Sequence, residues 1–296
     1  MIIEIKERKE LRFYPEFKNV DDLFKYYIHE ILTNGVYSEG ARPHYKSDGA
    51  EANSIYITDV AMKFDLSLGE FPISTLRPIA IKGAIKEILW IWQQASNDLN
   101  QLRSAGVFWW DDWALEDGCT IGQRYGATVR RHSILTQTIE KLKNNPFNRR
   151  SIMNLWQYQD LNEKGALDPC AYEVCFDVRK INDEFYLDMK LNQRSSDFLV
   201  AGLGINQMQY VALQMMIVNH LGWKVGTFSW NVMNLHIYDR FIPQAKELLN
   251  RPSSNEKVDF YLNKPSQTKI EDVMAEDFVL TNYKPTKPQL KFDLAI

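Results

Sequence analysis

The amino-acid sequence predicts a single α+β domain, and three observations carry that reading. Residues 172–179 alternate strictly: Tyr172, Val174, Phe176 and Val178 share one face, and Glu173, Cys175, Asp177 and Arg179 the other. This is the period of a half-buried strand. Elsewhere apolar residues recur three and four apart, the spacing of helices packed on a core. Strand-like and helix-like stretches are mixed along the chain with no repeat, low-complexity tract or linker between them.

Residues 1–18 are charged and aromatic without a clean period and read as an N-terminal arm, with one domain over 19–296. The spacing predicts a helix over Val20–Asn34, capped by Asp21 or Asp22, striped by Phe24, Tyr27, Ile28, Ile31 and Leu32, and stopped by Asn34-Gly35. Residues 39–49 have loop chemistry and carry Arg42; a strand over 54–65 follows, with Ile55, Ile57 and Val60 apolar. Pro78–Gln94 holds the most hydrophobic helix candidate, apolar on every face over 88–92 and therefore buried all round. Glu87 sits on that helix, either desolvated or as an ordinary solvated carboxylate. A polar helix over Ser96–Ser104 leads to the aromatic loop Trp109-Trp110-Asp111-Asp112-Trp113, for which plain packing is the default. Ser133–Asn145 reads as another helix. The alternation at 172–179 resumes at Phe185, Leu187, Met189 and Leu191 after a turn at 181–184, a hairpin that brings Cys170 and Arg194 to one end of the sheet. Asn206 is expected to cap a helix bearing Tyr210, Leu213, Met216, Ile217 and Leu221. A strand over Val225–Tyr238, a short helix near Pro243–Leu249 and a terminal strand at 290–296 complete the reading.

At 296 residues and 45% hydrophobic, the chain can bury a real core. A formal net charge of -3 argues against bulk electrostatic binding to nucleic acid, though local basic clusters could hold one small anion. No apolar run reaches the roughly 18 residues of a membrane span, and Met1–Lys6 is too acidic and too short in apolar content for a signal peptide. Three cysteines cannot all pair, and five scattered histidines make a poor zinc set. The expected compartment is the reducing cytoplasm, and no metal is expected.

The chemistry concentrates between Asn148 and Asn206. Arg149, Arg150, Arg194 and Ser195 lie in one predicted sheet region with Pro169-Cys170 and Asn206. Arginine forks and a hydroxyl suit a phosphate. Positive charge near Cys170 would favour the thiolate, the nucleophilic form. The plainer alternatives are a surface ion-pair face for the arginines and a buried hydrophobe for the cysteine.

These residues, with Gly83–Trp90, Trp110–Trp113, Tyr125-Gly126, Gln193–Asp197 and His236-Ile237-Tyr238, resemble the thymidylate synthase family from about Val20 to Ile296. The resemblance implies a large mixed β-sheet flanked by helices, a homodimer, and methylation of dUMP to dTMP with 5,10-methylenetetrahydrofolate as co-substrate. By it, Cys170 adds to C6 of the uracil, Glu87 organises water and proton transfer, and Tyr125 helps remove the C5 proton. Arg42, Arg194 and Ser195 hold the phosphate, joined by Arg149 and Arg150 from the partner subunit. Asn206 reads the pyrimidine edge, and His236 and Tyr238 the deoxyribose hydroxyl. Asp197, Trp110 and Trp113 serve the folate, and Ile296 closes the site. The chain departs from the usual pattern at Ala171, Gln157-Tyr158, Gly204-Ile205, Asn234 and Arg240-Phe241, with one residue inserted between Asp197 and Asn206, as a divergent or phage-type enzyme of a host cytoplasm would. Two alternatives are a dUMP hydroxymethylase, in which water traps the same intermediate, and a non-catalytic relative. The intact Cys170, Glu87, Tyr125 and Asn206 argue against the latter.

Overall fold

The computed structural model describes residues 17–40 and 42–296, so the arm expected at 1–18 lies outside the described residues except for Phe17 and Lys18. Helix α1 (Val20–Asn34) has the predicted bounds, with Leu23, Phe24, Ile28 and Ile31 buried. Its cap is Asn19, whose side chain accepts the Asp22 N–H, and not Asp21 or Asp22 as expected. Asp21 is buried instead, accepting from the Ser74 hydroxyl at 2.9 Å and the Thr75 N–H at 2.9 Å. A short β1 (Val36–Ser38) pairs with β2 (Ser54–Asp65).

The apolar helix of residues 78–94 comes in two parts. Helix α2 (Ile81–Ile88) passes into a wider π-helical turn over Leu89–Gln93, in which Gln94 N–H reaches Leu89 O at 2.9 Å. The full burial predicted for this stretch is observed, with Trp90 and Trp92 each about 1% exposed. Helix α3 (Leu99–Ser104) starts later than expected because the Asp98 side chain caps it at the Asn100 N–H. Then come α4 (Gly126–Arg131), α5 (Ile134–Asn144), β3 (Ile152–Asn154) and α6 (Tyr158–Leu161).

Strands β4 (Ala171–Ile181) and β5 (Glu184–Gln193) form the predicted antiparallel hairpin. Its two turn residues, Asn182 and Asp183, both have positive φ (49° and 65°), as a tight turn matching the strand twist requires. Val174, Phe176, Val178, Leu187, Met189 and Leu191 are all buried, which fixes the register by the cost of exposing them. After β6 (Ser196–Asp197), α7 (Ile205–Leu221) runs through the core with every residue from Gln207 to Val218 buried. Next are β7 (Lys224–Tyr238), α8 (Ile242–Asn250) and a separate hairpin of β8 (Asp259–Leu262) and β9 (Phe278–Thr281), which hydrophobic periodicity did not reveal.

Among the described residues the main sheet has seven strands in the order β1-β2-β7-β5-β4-β3, with β6 beside β7. Pairings are antiparallel except β5–β7 and β6–β7, so the sheet is mixed. The terminal strand expected at 290–296 is reduced to a bridge: Ile296 and His44 exchange backbone bonds at 2.9 and 2.8 Å, and Lys46 N–H reaches Leu294 O at 2.8 Å. All three cysteines are free. No described helix is long and apolar enough to cross a membrane.

Candidate active site

The hairpin brings Cys170 and Arg194 together as the alternation implied. Arg194 N–H donates to Cys170 O at 2.9 Å, and the Arg194 guanidinium donates to Asp168 O at 2.9 Å and Pro169 O at 3.1 Å. Asp168 is braced from behind by buried Arg124 at 2.9 Å. The charge effect expected on Cys170 is present but does not win. Burial pushes its thiol up, Arg194 and Arg42 pull it down, and the net shift is upward. The thiol is therefore held in its protonated form.

Tyr125 accepts the Cys170 N–H at 3.3 Å through its hydroxyl and packs edge-on against Trp110, with ring centroids 5.0 Å apart. It holds a φ of 48° at the entry to α4, an uncommon conformation for a bulky residue. Burial raises its phenol well above the ordinary range, so it stays neutral. Trp113 stacks edge-on to Trp110 at 5.8 Å.

Glu87 is buried and not solvated, which decides between the two sequence readings. Its carboxylate accepts from Trp109 Nε1 at 2.7 Å, Trp110 Nε1 at 2.9 Å and Gln209 Nε2 at 2.9 Å. Gly83 makes room for this, since a Cβ there would lie 2.5 Å from the Trp109 ring. Burial raises the Glu87 carboxyl and the three donors lower it, leaving a net rise.

Asn206 does not cap α7. Gly204 takes that position at φ 133°, and Asn206 is the second helical residue. Its Oδ1 accepts from Gln193 Nε2 at 3.3 Å and its Nδ2 donates to Gln209 Oε1 at 3.2 Å. Gln193 in turn accepts from the Trp230 indole N–H.

On β7, His236 Nδ1 pairs with Asn234 Oδ1 at 2.9 Å, and burial drives its pKa down to about 4, so the ring is neutral. Tyr238 packs against it at 4.9 Å and lies within electrostatic reach of Asp197, Cys170 and Arg42. Asp197 pairs with His236 across β6 and β7. Its carboxyl accepts the N–H groups of Leu199 and Val200 at 3.0 and 3.3 Å, yet burial pushes it up to about 7. Behind it, buried Arg77 donates to the carbonyls of Leu199 and Val200, each at 2.7 Å.

Arg42 is exposed, in the loop bridged to Ile296. Ser195 is half-buried beside Arg194. Arg149 and Arg150 are elsewhere. Ile152 pairs with Cys175 and Ser151 O accepts from Phe176, so Arg150 and Arg149 leave the sheet edge beyond the level of Phe176. Six strand residues separate Phe176 from Cys170, roughly 20 Å at ~3.3 Å per residue. The sequence put these arginines in one sheet region with Cys170, and the strand register sets them apart from it.

Four residues at the site had no assigned part in the sequence reading: Trp109, Gln193, Gln209 and Arg77. Gln209 could have been found from its place three residues after Asn206, on one helix face. Among the described residues no group of three or more His, Cys, Asp or Glu side chains is arranged to hold a metal. The cluster thus offers a sulfur nucleophile, guanidinium groups for an anion, a buried carboxylate on a polar network and a neutral phenol beside the sulfur. Those are the parts for covalent addition followed by proton transfer.

Comparisons with known proteins point to one family. A family model described as thymidylate synthase matches residues 22–296. Thymidylate synthase from Streptococcus pneumoniae (strain 70585) is 55% identical over 277 residues, covering 93% of this chain and 99% of the relative. The thymidylate synthase of Streptococcus suis (strain 05ZYH33) is 53% identical over the same spans. Among solved structures, thermostable thymidylate synthase A from Bacillus subtilis superposes with a TM-score of 0.84 at 34% identity, covering 93% of this chain and 99% of that one.

Proposed function

The chain belongs to the thymidylate synthase family, and we propose that it converts dUMP to dTMP with 5,10-methylenetetrahydrofolate as co-substrate. The observation that carries this is the convergence of Cys170, Arg194 and Tyr125 at one sheet end, with Glu87 reaching the same space through Trp110. The folate supplies the methylene and the hydride; the chain's own residues supply the rest.

Arg194, Arg42 and Ser195 grip the nucleotide phosphate. Cys170 Sγ forms a bond to C6 of the uracil and loses its proton, and C5 becomes the nucleophile toward the one-carbon unit. Asn206 holds the pyrimidine edge, and His236 and Tyr238 hold the deoxyribose hydroxyl. Tyr125 serves removal of the C5 proton, and Glu87 serves proton movement at the base. The neutral state of His236 and Tyr125 supports these readings, since each can then donate a hydrogen bond without carrying charge. Asp197, Trp110 and Trp113 hold the pterin; a carboxyl near neutrality and two indole faces fit a flat heterocycle with N–H donors. Ile296 covers the result.

The working form is a homodimer in which Arg149 and Arg150 complete the partner's phosphate site. Their exposure, and their distance from this chain's own Cys170, support that reading. The decisive experiment incubates the enzyme with dUMP and methylenetetrahydrofolate while following dihydrofolate absorbance and nucleotide mass. Equal amounts of dTMP and dihydrofolate are expected. Hydroxymethyl-dUMP without dihydrofolate would reassign the chain to water trapping.

A further inference from the structure

Three amides lie in line between two groups whose hydrogen-bonding sense is fixed. Trp230 is fully buried, and its indole N–H can only donate; it donates to Gln193 Oε1. Gln193 Nε2 then donates to Asn206 Oδ1 at 3.3 Å, Asn206 Nδ2 to Gln209 Oε1 at 3.2 Å, and Gln209 Nε2 to Glu87 Oε2 at 2.9 Å. Both oxygens of that carboxyl also accept from the indole N–H groups of Trp109 and Trp110, which can only donate, so it meets Gln209 as an acceptor. The two ends of an amide are near-identical in shape, so its orientation is set by its partners. Here both ends of the row impose the same sense.

We propose that Gln209 is a positioning residue which, with Trp230 at the far end, fixes the orientation of the Asn206 amide and thereby its choice between uracil and cytosine. The proposal rests on Asn206 facing the pyrimidine. After its two protein bonds Asn206 keeps one Oδ1 lone pair and one Nδ2 hydrogen. An acceptor and a donor in that order suit the N3–H and O4 of uracil. Cytosine presents an acceptor at N3 and a donor at N4, and would require the amide reversed. Reversal would set Asn206 Nδ2 against Gln193 Nε2 and Asn206 Oδ1 against Gln209 Oε1. Neither glutamine can turn to relieve this while Trp230 and Glu87 hold it. Tyr125 and Tyr210 are the titratable side chains nearest in charge to Glu87, and burial keeps both neutral. Gln209 is itself about 3% exposed and, in the free protein, gives both amide groups to this row.

The test is equilibrium binding of dUMP and dCMP to the full-length wild type, Gln209→Met, Trp230→Phe and the double variant. Each single change releases one end of the row. The preference for dUMP should fall at least tenfold in each, and the double variant should lose no more than the worse single one, because one row is being broken twice. A merely structural part would weaken both nucleotides alike and leave the ratio unchanged. Should Gln209→Met fail to fold, Trp230→Phe alone carries the test, since Trp230 is at the end of the row remote from Glu87. A wild type without preference for dUMP would overturn the reading of Asn206 itself. A wild type that prefers dUMP, with Trp230→Phe unchanged in its preference, would overturn the row and leave that reading standing.

Discussion

Replacing Asp197 by Asn should stabilise the ligand-free protein, and the gain should grow as the solution becomes alkaline. The isosteric amide can still accept the Leu199 and Val200 N–H groups through Oδ1, so the loop it organises is kept. What changes is charge. Burial pushes the Asp197 carboxyl from 3.8 up to about 7, against the pull of those two N–H groups and Arg77. Between about pH 4 and pH 7 the folded chain therefore holds a proton that the unfolded chain has released. Stability contributed by this group is complete below the unfolded value and is lost as pH rises through the folded one. From pH 5 to pH 7 that is two units at ~1.36 kcal/mol each, so the advantage of Asp197→Asn should widen by about 2–3 kcal/mol between pH 5 and pH 8.5. His236, held down at about 4, makes both proteins lose stability as pH falls below its ordinary value, and it cancels in the comparison. Urea unfolding of both proteins at the two pH values measures the difference. An advantage that is the same at both, or a variant less stable at pH 8.5, would refute the reasoning.

Arg194→Ala should weaken dUMP by roughly 1.5–3 kcal/mol, the scale of hydrogen bonds to a charged group. Binding of deoxyuridine, which lacks the phosphate, should hardly change, and equal losses for both ligands would remove Arg194 from the phosphate site. Cys170→Ser and Arg149→Ala chains, each impaired alone, should recover activity when unfolded and refolded together, because some mixed dimers then carry one intact site. Sedimentation of a fully active monomer would refute the shared site. Gly126→Ala should cost about 3 kcal/mol or more, since its Cβ would fall 2.0 Å from Ser96 O. A melting temperature within a degree of wild type would show that this backbone contact yields.

The fold was legible wherever one face of an element meets water. α1 and β2 have their predicted bounds, and the β4–β5 hairpin follows from alternation alone. Caps were harder, because Asn19, Asp21 and Asp22 are all good capping residues and tertiary contacts with Ser74 and Thr75 decided among them. The same holds for α7, where buried Asn206 is drawn into the amide row and Gly204 takes the turn. Short β8 and β9 gave too few residues for a period to register. At the site, Cys170 and Arg194 could be paired from strand geometry. Their electrostatic balance could not, because it depends on burial that residue order does not reveal. Nor could spacing show that Arg149 and Arg150 lie beyond the level of Phe176, away from Cys170.

The bridge between residues 294–296 and 44–46 has a thermodynamic consequence. Arg240 reinforces it, lying 3.9 Å over the Tyr45 ring and pairing with Asp48 at 2.8 Å and Asp293 at 3.1 Å. The segment carrying Ile296 and the loop carrying Arg42 are thus fastened into one body. On the proposed reading of the site, a ligand that draws on Arg42 also biases the segment carrying Ile296, and the converse must hold by the same factor. Two molecules that never touch one another's anchoring groups would therefore bind cooperatively, each raising the affinity found by the other.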